Sequence, residues 1–132
     1  MTPVTLYHSL TTCINNKSYD LAVYNYFSAS AYAYFDTLRV NDKTAHGIID
    51  IVMKDSIWTL SALEQHNFEN YLSQFLASEE KAKACSYLIN KGMPHYTPDY
   101  MTKYGTKISN LNPKLYDELW KSTLVNYLKC NI

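Results

Sequence analysis

The chain has 132 residues and a mass of 15.3 kDa, with 47% hydrophobic and 18% charged residues, a composition that excludes disorder over most of its length. No apolar run approaches the ~18 to 20 residues that cross a bilayer, and 12 basic side chains balance 12 acidic ones, which argues against a strongly basic nucleic-acid binder. We expect one soluble domain over residues 1–132, without a targeting segment or a membrane partner.

The first third of the chain predicts two helices. Thr2 and Pro3 suit the cap and the first position of a helix whose apolar residues recur at helical spacing until Asn15. Ser18 is a suitable cap for a longer second helix that reaches Leu38 and has small side chains in its middle. This second helix is expected to be the central core helix. The alternative is a self-association face formed by tyrosines off its main apolar stripe, namely Tyr19, Tyr26 and Tyr32.

A third helix is predicted in the next segment. Asn41, Asp42 and Thr44 are alternative caps, and an apolar stripe with a helical period then continues to Leu60. The run IIDIVM also has strand-like composition. The helix is favoured because no turn residue interrupts the period before Leu60.

A capping box predicts the start of a fourth helix. Ser61 and Glu64 have the spacing at which each side chain satisfies a backbone amide in the first turn. Ser78 could begin a fifth helix, although residues 62–91 could also form one continuous helix. We favour a break.

The last third contains the clearest stop signal. Gly92 can adopt a positive φ and Pro94 cannot continue a helix, so the preceding helix should end there. Residues 97–99, Thr-Pro-Asp, predict the start of a short helix, and Pro113 predicts the start of a final helix that ends near Lys129. The fold class expected is all-α, a compact single-domain array of six to seven helices with bundle-like or orthogonal packing.

The three cysteines are far apart and odd in number, and they contain no CxxC pair. This pattern makes a disulfide framework or a structural zinc site improbable. Cys13 and Cys85 lie on apolar helical stripes and are expected to be free and buried, whereas Cys130 near the end of the sequence is expected to be exposed. A reducing, cytoplasmic location is therefore predicted.

Motifs that carry catalysis, cofactors or metals are missing. His46 and Asp50 share a helical face, and Glu64, His66 and Glu69 are close in sequence, but no HExxH, CxxC or paired ExxH motif organises them. The three glycines are isolated, so no phosphate-binding loop is formed, and no G-x-S-x-G element is present. We expect no enzyme activity, no cofactor and no metal.

Thirteen tyrosines are the most distinctive feature of the composition. Tyrosine combines a large rigid ring with a polar tip and is common at protein interfaces. Residues 96–107 concentrate tyrosines at four-residue steps with lysines between them. The predicted binding residues are Tyr96, Tyr100, Lys103, Tyr104 and Lys107. The alternative is that the tyrosines only attach the short helix to the rest of the protein.

The charges are unevenly distributed along the chain. Residues 40–90 have a net charge of −3 and residues 91–132 have a net charge of +3. Together with the tyrosines, this predicts a non-enzymatic protein that binds another macromolecule and acts by occlusion, as an inhibitor, immunity factor, antitoxin-like neutraliser or adaptor. The partner expected is another protein, and homo-oligomerisation could accompany this role. The alternative is a nucleic-acid-associated protein that uses the Tyr/Lys patch at residues 96–107.

Overall fold

The computed structural model describes residues 2–40, 46–102 and 114–131. Within these ranges seven α-helices are followed by a π-helical turn at Thr123–Tyr127, so the predicted all-α class is confirmed. The helices are α1 (Pro3–Asn15), α2 (Tyr19–Arg39), α3 (Ile48–Ile57), α4 (Ala62–Leu76), α5 (Glu80–Lys91), α6 (Asp99–Thr102) and α7 (Lys114–Ser122). None of the described helices is both long and apolar enough to traverse a lipid bilayer.

Helices α1 and α2 supply the centre of the core. The backbone amide of Thr5 donates to Thr2 Oγ1 at 3.4 Å, which confirms the predicted cap of α1. Leu6 and Leu10 are buried on the inner face of α1, and Phe35 is buried on α2. Because much of the middle of α2 consists of small residues that are buried, neighbouring elements approach it closely. The prediction that α2 is the central core helix is confirmed.

The segment from α3 to α5 follows the predicted breaks. The predicted caps Asn41, Asp42 and Thr44 lie outside the described residues. Helix α3 ends at Ile57, short of the predicted Leu60, because the amide of Leu60 donates to the Ile57 carbonyl at 3.0 Å in a tighter turn. A break at residues 77–79 separates α4 from α5, as favoured from the sequence.

The capping box at the start of α4 is only half formed. The amide of Glu64 donates to Ser61 Oγ at 3.1 Å. The Glu64 carboxylate instead forms an ion pair with Lys17 and accepts a hydrogen bond from Tyr19 at 3.1 Å. A charged partner on another element therefore displaces the local contact that the sequence suggested.

Two helix ends use lysine where glycine is usual. Lys17 after α1 has a φ of 61° and Lys129 after the π-helical turn has a φ of 60°, while Gly92 after α5 has a φ of 78°. After α1, the amides of Lys17 and Ser18 donate to the carbonyls of Ile14 at 3.0 Å and Cys13 at 2.8 Å, which is the Schellman pattern. The amide of Cys130 donates to the Leu124 carbonyl at 2.9 Å, six residues earlier, and closes the π-helical turn. The two lysine residues adopt this left-handed backbone conformation at a steric cost that glycine avoids.

A disulfide joins Cys85 on α5 to Cys130 near the end of the sequence, with a Cα–Cα distance of 5.8 Å. The prediction of free cysteines is therefore wrong for this pair, and Cys130 is buried rather than exposed. The two residues are 45 positions apart, and only the packing of the final turn against α5 brings them together. Cys13 is free and half-buried.

Candidate functional site

A buried carboxylate anchors the segment that the sequence singled out for binding. Asp36 on α2 is inaccessible to solvent. Its Oδ2 accepts hydrogen bonds from the hydroxyls of Tyr96 at 2.6 Å and Tyr100 at 2.5 Å. Its Oδ1 accepts from Arg39 Nε at 2.8 Å. We call these four residues the Asp36 cluster, which attaches α6 and the segment before it to the central helix.

Arg39 completes the Asp36 cluster from the same helix, three residues after the carboxylate. Its guanidinium donates to the Tyr96 carbonyl at 3.0 Å and lies 5.0 Å from the Phe35 ring centroid and 5.2 Å from that of Tyr96. These contacts compensate for the removal of a charged guanidinium from water. The polar atoms of the cluster are thus satisfied within the protein.

The electrostatics of the Asp36 cluster follow from its burial. Desolvation raises the pKa of Asp36 above its usual range, while Arg39, Tyr100 and Tyr96 stabilise the carboxylate and act in the opposite direction. Burial, and then the nearby Asp36 carboxylate, raise the pKa of the Tyr96 and Tyr100 hydroxyls well above the usual range. The hydroxyls therefore stay protonated and keep donating to the carboxylate.

The structure accounts for two of the five predicted binding residues. Tyr96 and Tyr100 are half-buried, and their hydroxyls are committed to Asp36. The remaining predicted residues, Lys103, Tyr104 and Lys107, lie outside the described residues. The described half of the Tyr/Lys patch thus has the attachment role that the sequence analysis left as an alternative.

The three tyrosines considered for self-association occupy different environments. Tyr32 is buried, and its hydroxyl donates to the Gly92 carbonyl at 3.1 Å, so its ring is not available on the surface. Tyr19 stacks on Tyr71 with ring centroids 5.6 Å apart. Tyr26 meets the edge of Phe68 at 6.1 Å. All three are used in contacts within the chain.

The histidine and carboxylate groups considered for metal binding do not converge. His46 Nε2 lies 2.8 Å from the Val40 carbonyl, and His66 Nε2 lies 3.1 Å from Asn70 Nδ2. Among residues 2–40, 46–102 and 114–131, no group of three or more His, Cys, Asp or Glu side chains could hold a metal ion.

Three of the four most exposed large apolar side chains among the described residues lie around the turn from α3 to α4, and the fourth, Leu21 at 56%, lies on α2. Trp58 is 69% exposed, Leu63 is 68% exposed and Ile51 is 54% exposed. Ile51 and Trp58 are seven residues apart, which places them on one side of α3, and Leu63 follows in the first turn of α4. We call these three residues the α3–α4 corner. A contiguous exposed apolar patch can mark an interaction surface, which makes the α3–α4 corner a candidate for one.

Helices α2, α3 and α4 form an open groove of about 220 Å³. Its lining is mostly apolar and includes Tyr26, Met53, Ile57, Phe68 and Leu72, with the exposed Glu69 among its polar members. We call this feature the α3–α4 groove. It is smaller than the about 300 to 1,000 Å³ typical of sites for drug-sized ligands, so its size fits a single side chain better.

The sequence contained a signal for the α3–α4 corner that tyrosine counting missed. The apolar stripe of α3 runs through Ile49, Val52 and Met53, whereas Ile51 and Trp58 fall on the opposite side of the helix. When one apolar stripe of a helix already faces the core, large apolar residues on its other side are candidates for contacts with another molecule.

The chain was compared with known families, curated proteins and solved structures. No family model, no curated protein and no solved structure matches it.

Proposed function

We propose that this protein is a non-enzymatic binding protein that recognises another protein and acts by occlusion, in an inhibitor, immunity-factor, antitoxin-like or adaptor role. The observation that supports it best is the exposure of the α3–α4 corner, where Trp58 and Leu63 are both more than two-thirds exposed. Burying such residues against a partner is the main source of binding free energy at protein interfaces. The proposal moves the binding surface from residues 96–107 to this corner.

The charge of the surrounding segment supports a protein partner over a nucleic acid. Residues 46–80 contain six carboxylates and one lysine, Lys54, and have a net charge of −5. This segment would repel a phosphate backbone and attract a basic protein surface. A role in occlusion follows if the target's functional surface is the basic one.

A comparative pull-down tests the proposal. Tagged wild-type protein and a Trp58→Asp/Leu63→Asp variant are incubated with extract of the native host, and bound proteins are quantified. We expect one protein in stoichiometric amount with the wild type and its loss with the variant, because both changes place a charge at the centre of the interface. Leu115→Asp is the matched control, since Leu115 is also an exposed leucine, on α7. Equal recovery by both variants, or no partner at all, would refute the assignment.

The nucleic-acid alternative remains a separate prediction about residues 96–107. Its ring faces are only partly available, because Arg39 lies over the Tyr96 ring at 5.2 Å and Tyr32 contacts the same ring at 6.1 Å. A fluorescent single-stranded oligonucleotide should bind at low ionic strength and dissociate steeply as salt is added if this alternative is correct. Absence of binding at low ionic strength removes it.

The cytoplasmic location was predicted from an expected absence of disulfides, and the structure contains one. Disulfides persist mainly in oxidising compartments, and the pair Cys85 and Cys130 forms one. Alkylation of thiols in intact cells, followed by mass analysis, tests the location. A cytoplasmic protein should carry modified Cys85 and Cys130, whereas protection of both residues would contradict that location.

A further inference from the structure

The size and lining of the α3–α4 groove suit the binding of one apolar side chain. Among its lining residues, Phe68 is buried, while Met53, Ile57 and Leu72 are half-buried. Half-buried apolar side chains that line a depression lose their remaining contact with water when an apolar group enters. Met53 is unbranched and adapts its shape to different guests.

The polar groups of the α3–α4 groove are few, and one is unpaired. Gln65 donates its side-chain amide to the Leu60 carbonyl at 3.0 Å, so this donor is already used. Glu69 is exposed, and no lysine, arginine or histidine in the described part of the chain forms an ion pair with it. A guest that combines an apolar group with a nearby cation satisfies both parts of the groove.

Further carboxylates outside the groove also favour a cationic ligand. Asp50 and Asp55 are exposed on α3, and Lys54 is the single cation in residues 46–80. A cationic segment lying along α3 and α4 would meet an excess of negative charge over its length. Lys17 pairs with Glu64 on α4, and the other carboxylates on α3 and α4 favour a cationic segment over a nucleic acid or an acidic peptide.

We propose that the α3–α4 groove binds a large apolar side chain from a basic segment of the partner protein, and that a lysine or arginine next to that side chain pairs with Glu69. The proposal rests on the proposed function and specifies the chemistry of the partner.

Selection from a random peptide library displayed on phage tests the proposal without knowledge of the natural partner. Phage are selected on immobilised wild-type protein and counter-selected on a Met53→Phe variant, in which a larger, stiffer ring occupies part of the groove. We expect the recovered peptides to share one large apolar residue flanked by lysine or arginine. A recovered peptide should bind Met53→Phe roughly tenfold more weakly than wild type.

The charge component is measured with a variant that leaves the core untouched. Glu69→Gln should weaken the selected peptide roughly threefold, as expected for an exposed ion pair. Glu118→Gln on α7, which removes another exposed carboxylate, should leave the affinity unchanged. Enrichment of acidic or uncharged peptides, no enrichment, or equal weakening by both glutamine variants would overturn the proposal.

Two other occupants are distinguishable outcomes. A concentration-dependent dimer that is lost in Met53→Phe would assign the groove to a second copy of the chain and overturn the proposal. Binding of an apolar fluorescent dye in the groove with no peptide enrichment would assign it to small apolar ligands, with the same consequence. If the peptide selection fails while the Trp58→Asp/Leu63→Asp pull-down loses a partner, the proposed function stands and only this inference falls.

Discussion

The disulfide between Cys85 and Cys130 gives the sharpest quantitative expectation for stability. It closes a loop with a sequence separation of 45, and the chain-entropy relation for a loop of this length gives an entropy of about 13 cal/mol/K, or about 4 kcal/mol at room temperature. The unfolding entropy of a chain with 132 residues is about 280 cal/mol/K at the melting temperature. Reduction of the disulfide should therefore lower the melting temperature by roughly 14 °C.

The assay compares one protein in two redox states, so that all other atoms are unchanged. Unfolding of the oxidised and the reduced wild type is followed by circular dichroism, with temperature and with urea. A Cys85→Ala/Cys130→Ala variant is the control, because its stability should not respond to reductant. Cys13→Ala removes a thiol that only accepts a hydrogen bond from Asn25 Nδ2 at 3.5 Å and should keep the response to reductant. A difference below about 1 kcal/mol between the redox states would refute the loop-entropy reasoning.

Three further expectations concern the core and the helix ends. Asp36→Asn should lower the free energy of unfolding by about 3 kcal/mol because it leaves the Arg39 guanidinium buried without a counter-charge; urea unfolding measures this, and Asp36→Asn/Arg39→Met should recover part of the loss. Lys129→Gly should raise the free energy of unfolding by roughly 0.5 to 1 kcal/mol, since glycine tolerates the φ of 60°; an unchanged thermal midpoint would contradict this. Burial raises the pKa of Tyr7 and of Tyr32 to about 12 from 10.0, so the unfolded chain loses these protons first, and stability should fall as pH rises above 10. Urea unfolding measured on either side of pH 10 tests this, and Tyr7→Phe should reduce the loss of stability; an unfolding free energy that does not fall at high pH would argue against buried hydroxyls.

Local signals predicted the elements of the fold well. The cap at Thr2, the serine at position 61 and the stop at Gly92 each act within a few residues, so the sequence around them is sufficient to place a boundary. Ser78 also favoured the break after Leu76 over one continuous helix. These elements were predictable because the hydrogen bonds that define helix ends are formed by neighbours in sequence.

The contacts between distant elements were not predictable in the same way. Asp36 and Arg39 are three residues apart on one helix, so their ion pair can be predicted from the sequence. Tyr96 is 60 positions from Asp36, and its hydrogen bond to that residue depends on how its segment packs against α2. Glu64 had a plausible local partner in Ser61, and an ion pair with Lys17 from another element prevailed. Pairwise spacing identifies candidates, and the packing of helices selects among them.

The candidate site shows the same limitation. Tyrosine content drew attention to residues 96–107, yet the structure uses Tyr96 and Tyr100 to hold their own segment in place. Trp58 and Leu63 were not among the predicted binding residues, because the hydrophobic pattern of the sequence does not determine which apolar residues stay outside the core. The count of a residue type predicts a tendency for the whole chain, whereas exposure is a property of each position.

The covalent link between Cys85 and Cys130 also determines what a protease can release. A single backbone cut anywhere between these residues leaves two fragments that remain one molecule, since the sulfur bridge spans the cut. Electrophoresis without reductant would register an intact protein, and only reductant would separate the fragments. A chain cut in this region therefore keeps α3 and α4 covalently attached to its carboxyl-terminal fragment. The two fragments separate only where thiols reduce the disulfide.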